Sequence, residues 1–289
     1  MQETPISCFH ASSPIITIIM AVYNGASTLQ RCLDSVRSQT YSNKELIIID
    51  GGSNDGSVDI LQMNSSWIDY WVSEPDRGIY HAWNKGLDKA TGDWINFLGA
   101  DDYFPNPEVL AEVSEMIGKC DLGTRLVYGK EAIVSSAGEV LEITGDPWNH
   151  LRKRFLRDLF LPHTAFFHHR SLFEDYGRFD ESFRIAGDSE FLLRELKTGK
   201  AEFFQDIVIK AVTCSGISKS WDRNASAVME VARAKRMHGI FPYDSLWLLL
   251  LTKSIAKRYL TRLIGSRGTQ YLVDCYRRLT GRPAIWRKM

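Results

Sequence analysis

The chain has 289 residues, enough to bury a full core, and its 44% apolar and 24% charged content is that of a globular protein, which excludes a fibrous repeat and a disordered chain. Its 35 Lys and Arg are matched by 35 Asp and Glu, so attraction of the whole chain to nucleic acid is excluded as well. Cys8, Cys32, Cys120, Cys214 and Cys275 are odd in number, scattered and free of any CxxC spacing, which argues against a disulfide framework or a zinc site and fits a reducing cytosol. The opening "MQETPISCFHASSP" has neither a basic n-region nor an apolar h-region, so no secretory signal is expected there. The apolar runs 15–22 and 246–251 fall far short of the roughly 20 residues of a spanning helix, and a cytoplasmic protein is expected.

In chain order, "IITIIMAV" is β-branched and reads as a buried strand, and "STLQRCLDSVRSQ" sets Leu29, Leu33 and Val36 on one helical stripe. "KELIIID" is a second strand, "SVDILQM" a short helix, "IDYWVS" a third strand and "GIYHAWNKGLDKA" a helix, before "DWINFL" forms a fourth strand. This alternation predicts an α/β protein with a mostly parallel, Rossmann-like sheet and helices on both faces. A helix over 108–117 follows, with Asn106 as its N-cap and Pro107 in its first turn. "RLVYGKEAIV" and "EVLEIT" predict a hairpin. Then come "HTAFFHH", a helix from about Ser182 to Lys197, and a strand within "AEFFQDIVIKAV". The expected division is a tail over 1–13, an α/β domain over 14–240 and a basic, helical extension over 241–289. Within the last, residues 244–289 hold ten Lys or Arg against two Asp, a local net charge of +8.

Polar residues gather at the predicted strand ends. Tyr23, Asn24 and Gly25 follow the first strand, "DGGSNDG" follows the second, and Asp101 with Asp102 follows the fourth. In an open parallel sheet, ligands bind outside the C-terminal strand ends, so all three clusters fall on one edge. Adjacent carboxylates in one cleft repel, and an oxygen-seeking divalent cation, Mn2+ or Mg2+, relieves that repulsion while leaving positions for phosphate oxygens. Gly52 and its neighbouring glycines let backbone approach a ligand, and Asp50 is placed to accept from a base or ribose. The set suggests a metal-bound nucleotide. Alternative readings are an Asx-turn for Asp50 and a solvated turn for the aspartate pair. Arg77 and Lys85 flank the helix leading into this edge, either meeting phosphate oxygens or standing as solvated cations. His163 precedes the strand "TAFF" and either faces the acceptor side of the cleft or stands in the core.

Three stretches carry a family resemblance: "AVYNGASTLQRCLDSVRSQTYSNKELIIIDGGSNDGS", "SEPDRGIYHAWNKGLDKATGDWINFLGADD" and "FDESFRIAGDSEFLLR". In this order and spacing they resemble the inverting family-two glycosyltransferases of GT-A fold, over roughly residues 14–220. The resemblance implies that Asp50 contacts a uracil-type base, that Asp101 lies at the ribose and metal, that Asp102 coordinates the metal on the diphosphate, and that Asp188 is the catalytic base. By residue type alone Asp188 also suits a helix N-cap, and Glu190 is the next candidate for the base. The chain departs from the family at Gly99, where an Asp-x-Asp triplet would place an acid, and at His81, where relatives often carry Asp. The Gln-x-x-Arg-Trp signature of processive synthases is missing, which favours one sugar per event.

The expected function is therefore metal-dependent transfer of one sugar from a nucleotide-sugar donor, a UDP-sugar, to a hydroxyl of a glycan or lipid-linked acceptor in cell-surface polysaccharide synthesis. A Rossmann-type oxidoreductase is the alternative enzyme, although G-x-G-x-x-G is missing after the first strand. A non-catalytic nucleotide-sugar-binding partner is the alternative without chemistry. In the C-terminal extension, Leu248, Ile255, Tyr259 and Leu263 share a helical stripe, with Lys253, Lys257, Arg258 and Arg262 largely away from it. That pattern suits either a core-docked helix or one lying on an anionic membrane surface, and Arg277, Arg278, Arg282, Arg287 and Lys288 favour the second, peripheral on the inner face of the cytoplasmic membrane.

Overall fold

The protein is described here by a computed structural model covering residues 13–135, 137–158, 163–213, 224–242 and 245–279. Four parallel strands form its centre in the order β3-β2-β1-β4: β1 (Ile16–Val22), β2 (Lys44–Asp50), β3 (Tyr70–Ser73) and β4 (Trp94–Gly99). The register aligns their C-terminal ends, setting Val22 beside Asp50, Asp50 beside Ser73, and Ala21 beside Gly99. Beyond β4 the sheet turns antiparallel through β7 (Phe166–His169), β5 (Leu126–Val134) and the hairpin strand β6 (Val140–Thr144), while β8 (Glu202–Thr213) runs parallel to β5.

Both faces of β1, β2 and β4 are covered, which is why their sequences are largely apolar. Ile16, Ile18 and Met20 pack beneath α1 (Ala26–Arg37), α2 (Ser57–Asn64) and α4 (Val109–Ile117). Ile19, Ile47, Ile49 and Phe97 face α3 (Ile79–Leu87), α5 (Trp148–Asp158), α6 (Ser171–Tyr176) and α7 (Gly187–Leu196). The helices α8 (Asn224–Met237) and α9 (Ser245–Leu279) complete the chain, with a non-helical break at Gly265, φ 73°.

The expected elements of the first 117 residues are present to within a few positions. Asn106 accepts from the Glu108 N–H at 2.8 Å, and Gln39 accepts from the Leu110 N–H at 3.0 Å, so the start of α4 draws on neither aspartate. The sequence reading missed α5 and α6 and began α7 five residues early. Residues 182–186 are instead a loop, because Asp180 takes the Ser182 N–H and Glu230 takes the N–H groups of Arg184, Ile185 and Ala186. The stripe of Leu248, Ile255, Tyr259 and Leu263 is exposed, at 57%, 42%, 61% and 82%, so it is not the core-docked face of α9. Among the described residues no helix is long and apolar enough to cross a membrane. The tail over 1–12, Cys8, Cys214, Arg282, Arg287 and Lys288 lie outside the described residues.

Candidate active site

The loops after β1 and β2 are stitched together at the sheet edge. Asn24 stands in the left-handed region at φ 50°; its N–H donates to Ser53 Oγ at 2.7 Å and its Oδ1 accepts from the Asn54 N–H at 3.0 Å. The Gly25 N–H reaches Ser57 Oγ, and the Ala26 N–H reaches Asp55. The Ser57 hydroxyl, with the Ala26 N–H, holds the Asp55 carboxyl below its usual range. These bonds leave the Tyr23 ring 66% exposed beside the loops.

Asp50 does not face the cleft as expected. It is fully buried and accepts from the Gly52 and Ser53 N–H groups and from the hydroxyls of Ser53 and Ser73. Four donors meet the roughly four lone-pair sites of a carboxylate, so its work is to lock the Gly51–Gly52 turn. Replacing Asp50 by Ala leaves buried donors unmatched, and a stability loss of about 1–3 kcal/mol is expected in thermal or denaturant unfolding. Unchanged stability with weakened UDP affinity would return Asp50 to a direct ligand contact.

The residue that approaches this turn is Asp76, which the sequence reading did not select. A Cβ on Gly51 would stand 2.4 Å from its Oδ2, so only glycine at 51 admits the carboxylate, which also accepts from the Gly78 N–H. Arg77 and Lys85 each have an acidic partner: the Arg77 side chain, 67% exposed, pairs with Glu181, and Lys85 pairs with Glu74 at 2.7 Å. His81 Nδ1 accepts from the Arg77 N–H at 3.1 Å, so the ring closes the first turn of α3.

Asp101 and Asp102 converge over Gly99. A Cβ at 99 would lie 3.0 Å from Asp101 Oδ1 and 3.3 Å from Asp102 Oδ2, so the missing side chain is the space the two carboxylates share. Tyr103 exchanges both backbone hydrogen bonds with Ala211, fixing this segment to β8, and Thr213 Oγ1 donates to Asp101 at 3.2 Å. The backbone carbonyl of Asp101 accepts from Arg31. Beneath the pair, Lys210 is fully buried and donates to the Phe97 carbonyl. Burial pulls its ammonium down to about 8, against the opposing charges of Asp102 and Glu131. Two converging carboxylates fit Mn2+ or Mg2+, which take one or two carboxylates together with phosphate oxygens and waters. Among the described residues no cluster of three or more His, Cys, Asp or Glu forms a metal cage, so phosphate and water would complete the shell.

Asp188 lies in the first turn of α7. Its Oδ1 accepts from the Ser189 N–H at 2.7 Å and the Tyr80 hydroxyl at 3.3 Å, and its side chain keeps 23% exposure. Burial raises its carboxyl to about 6, against the lowering effect of those hydrogen bonds. Tyr80 Oη also accepts from the Gly187 N–H at 2.9 Å, and burial with the Asp188 charge keeps the phenol protonated. Glu230 on α8, another residue without a sequence signal, fixes the loop just ahead of Asp188 through its three backbone contacts.

His163 lies 3.9 Å from Asp188 Oδ2, stacked on Trp83 and Phe97, so it joins Asp188 to the end of β4. Burial, with His168 and Lys210 nearby, holds the ring well below the usual histidine range, and its Nε2 has no partner among the described residues. Glu190 is a correction. It is 2% exposed and held by Arg194 and by His238 at 2.7 Å, so it ties α7 to the end of α8 and is closed to an acceptor.

Residues 17–177 match the family described as Glycosyl transferase family 2. An uncharacterized glycosyltransferase of Mycobacterium tuberculosis is 34% identical over 239 residues, covering 80% of this chain and 87% of that protein. A PGL/p-HBAD biosynthesis glycosyltransferase of Mycobacterium bovis is 34% identical over 186 residues, 63% of this chain and 70% of that one. Among solved structures, the Pyrobaculum calidifontis mannosyltransferase PcManGT, in complex with GDP-Man and Mn2+, shares the fold with a TM-score of 0.61 at 20% identity, over 93% of this chain and 81% of that one. S. aureus TarS 1-349 in complex with UDP-GlcNAc gives 0.60 at 16% identity, over 91% and 77%. The expected GT-A architecture is thus the observed one.

Proposed function

The chain belongs to glycosyl transferase family 2, and from that premise we propose that it moves one sugar from a UDP-sugar, with inversion, to a hydroxyl of a glycan or lipid-linked acceptor in cell-surface polysaccharide synthesis. The observation that carries this reading is a partly open, raised-pKa carboxylate, Asp188, joined through His163 to Phe97 near the end of β4, the strand that the paired carboxylates of Asp101 and Asp102 follow. In that arrangement Tyr23 offers an exposed ring face to the base, the stitched loop of residues 50–55 presents backbone to the nucleoside, and Asp76 lies over the turn. Asp101 and Asp102 would hold Mn2+ or Mg2+, which offsets charge on the departing diphosphate when bound.

Asp188 takes the proton from the acceptor hydroxyl as its oxygen bonds to the anomeric carbon and the bond to the diphosphate breaks on the opposite face. A single displacement of this kind inverts the centre, through the oxocarbenium-like character common to glycosyl transfer. Tyr80 and Ser189 hold the carboxylate in place, and Glu230 holds the loop that delivers it. The acceptor would be met at the inner face of the cytoplasmic membrane. The test is a panel of UDP- and GDP-sugars with Mn2+, reading free nucleoside diphosphate from slow donor hydrolysis. Release from one or more UDP-sugars is expected. A panel with neither hydrolysis nor donor binding would overturn the transfer reading, and selective release of GDP would replace the donor.

A further inference from the structure

The first arm of α9 carries a surface that sugar transfer does not use. On a helical projection, Leu248, Leu249, Ile255, Tyr259 and Leu263 fall within an arc of roughly 120°. Leu249 is 46% exposed, and the others are those already noted as exposed. Arg258 and Arg262 border the arc on one side and Lys253 on the other, all three exposed. On the opposite side of the same helix Trp247, Ser254 and Thr261 are half-buried, and α9 packs against α8. The helix therefore already has an inward face, and the exposed stripe is a second, outward one. After Gly265, the ion pair of Arg277 with Glu142 at 2.8 Å fastens the second arm to β6.

We propose that this outward face docks on an anionic lipid bilayer. Leu248, Leu249, Ile255, Tyr259 and Leu263 enter the boundary between headgroups and acyl chains, while Lys253, Arg258 and Arg262 extend to lipid phosphates. An apolar stripe bordered by cations on both sides is the arrangement that lies in a membrane interface, because the long basic side chains keep their charges in the headgroups while their stems cover apolar surface. Charge selects lipid over a second copy of the chain. Residues 245–264 contain no Asp or Glu, so a symmetric pairing of two stripes brings like charges together with no acid to offset them. An anionic leaflet supplies the missing charge. The docking stands on the surface itself; its consequence, an acceptor presented on lipid, rests on the transfer reading above.

Flotation of the full chain with vesicles of phosphatidylcholine alone, or with phosphatidylglycerol added, tests the docking. Binding to the anionic vesicles at low salt and release at high salt are expected. Ile255→Glu with Leu263→Glu should abolish flotation, and each of Arg258→Ala and Arg262→Ala should lower partitioning by about fivefold. These positions are exposed, so unchanged melting and unchanged donor hydrolysis without vesicles are expected for every variant. A parent protein that stays unbound with anionic vesicles at low salt overturns the docking. So does a concentration-dependent dimer that the stripe variant dissolves, with no vesicle binding by the parent. Missing donor hydrolysis in the parent would instead count against the transfer reading and leave the flotation result standing.

Discussion

Asp188→Asn is expected to lower the rate of sugar transfer by about two to four orders of magnitude, the range for loss of a general base, while the affinity for UDP with Mn2+ stays at the parent value. The amide keeps the size of the carboxylate but cannot take the acceptor proton. The buried, raised carboxyl adds a second signature. With a pKa of about 6, Asp188 is protonated and idle below that pH and ionised above it, so kcat/KM of the parent falls as pH drops through about 6. The variant's residual activity should lack that acidic limb. A variant that transfers at the parent rate, or one that keeps the same limb, would move the base elsewhere. Glu190 cannot inherit the role, since Arg194 and His238 already occupy it.

Asp102→Ala should remove the part of UDP affinity that depends on Mn2+, and by more than the roughly 10- to 100-fold that loss of an outer-shell partner costs a metal site. The carboxylate is one of the two that, among the described residues, converge over Gly99, and phosphate oxygens and water cannot replace it as a fixed protein anchor. Calorimetric titration with UDP, with and without Mn2+, separates the two contributions. Metal-free affinity should persist, because the loops of β1 and β2 are held by their own hydrogen bonds. Asp102 also stands near the buried ammonium of Lys210, so Asp102→Asn, which keeps the shape, is the companion variant. Equal Mn2+ dependence in parent and both variants would remove Asp102 from the metal site.

Much of this was legible in the chain. The strands β1, β2 and β4 are buried on both faces, so "IITIIM", "ELIII" and "WINFL" read as nearly continuous apolar runs, each with a single polar residue, and the polar clusters after them mark the binding edge. The C-terminal stripe was readable from period alone, and its exposure decided between core and surface. The residues whose roles changed are those with distant partners. Arg77 meets Glu181, 104 positions away, and the start of α7 is set by Glu230, more than 40 positions on. No local spacing encodes such a meeting.

By itself, then, the sequence determined the strand and helix order of the first half and the edge at which Tyr23, Asn24, Asp101 and Asp102 gather, because backbone periodicity and strand-end position are local properties, while Asp188 stood out only through the family resemblance. Tertiary structure alone decided what each charged side chain does. It turned Asp50 inward onto four donors, closed Glu190 into ion pairs, paired Arg77 with Glu181 and Lys85 with Glu74 at the surface, brought Asp76 over Gly51 and set Lys210 beneath the aspartate pair. A buried charge must find its partner wherever packing places one, so its role follows from the assembled core and not from its neighbours along the chain.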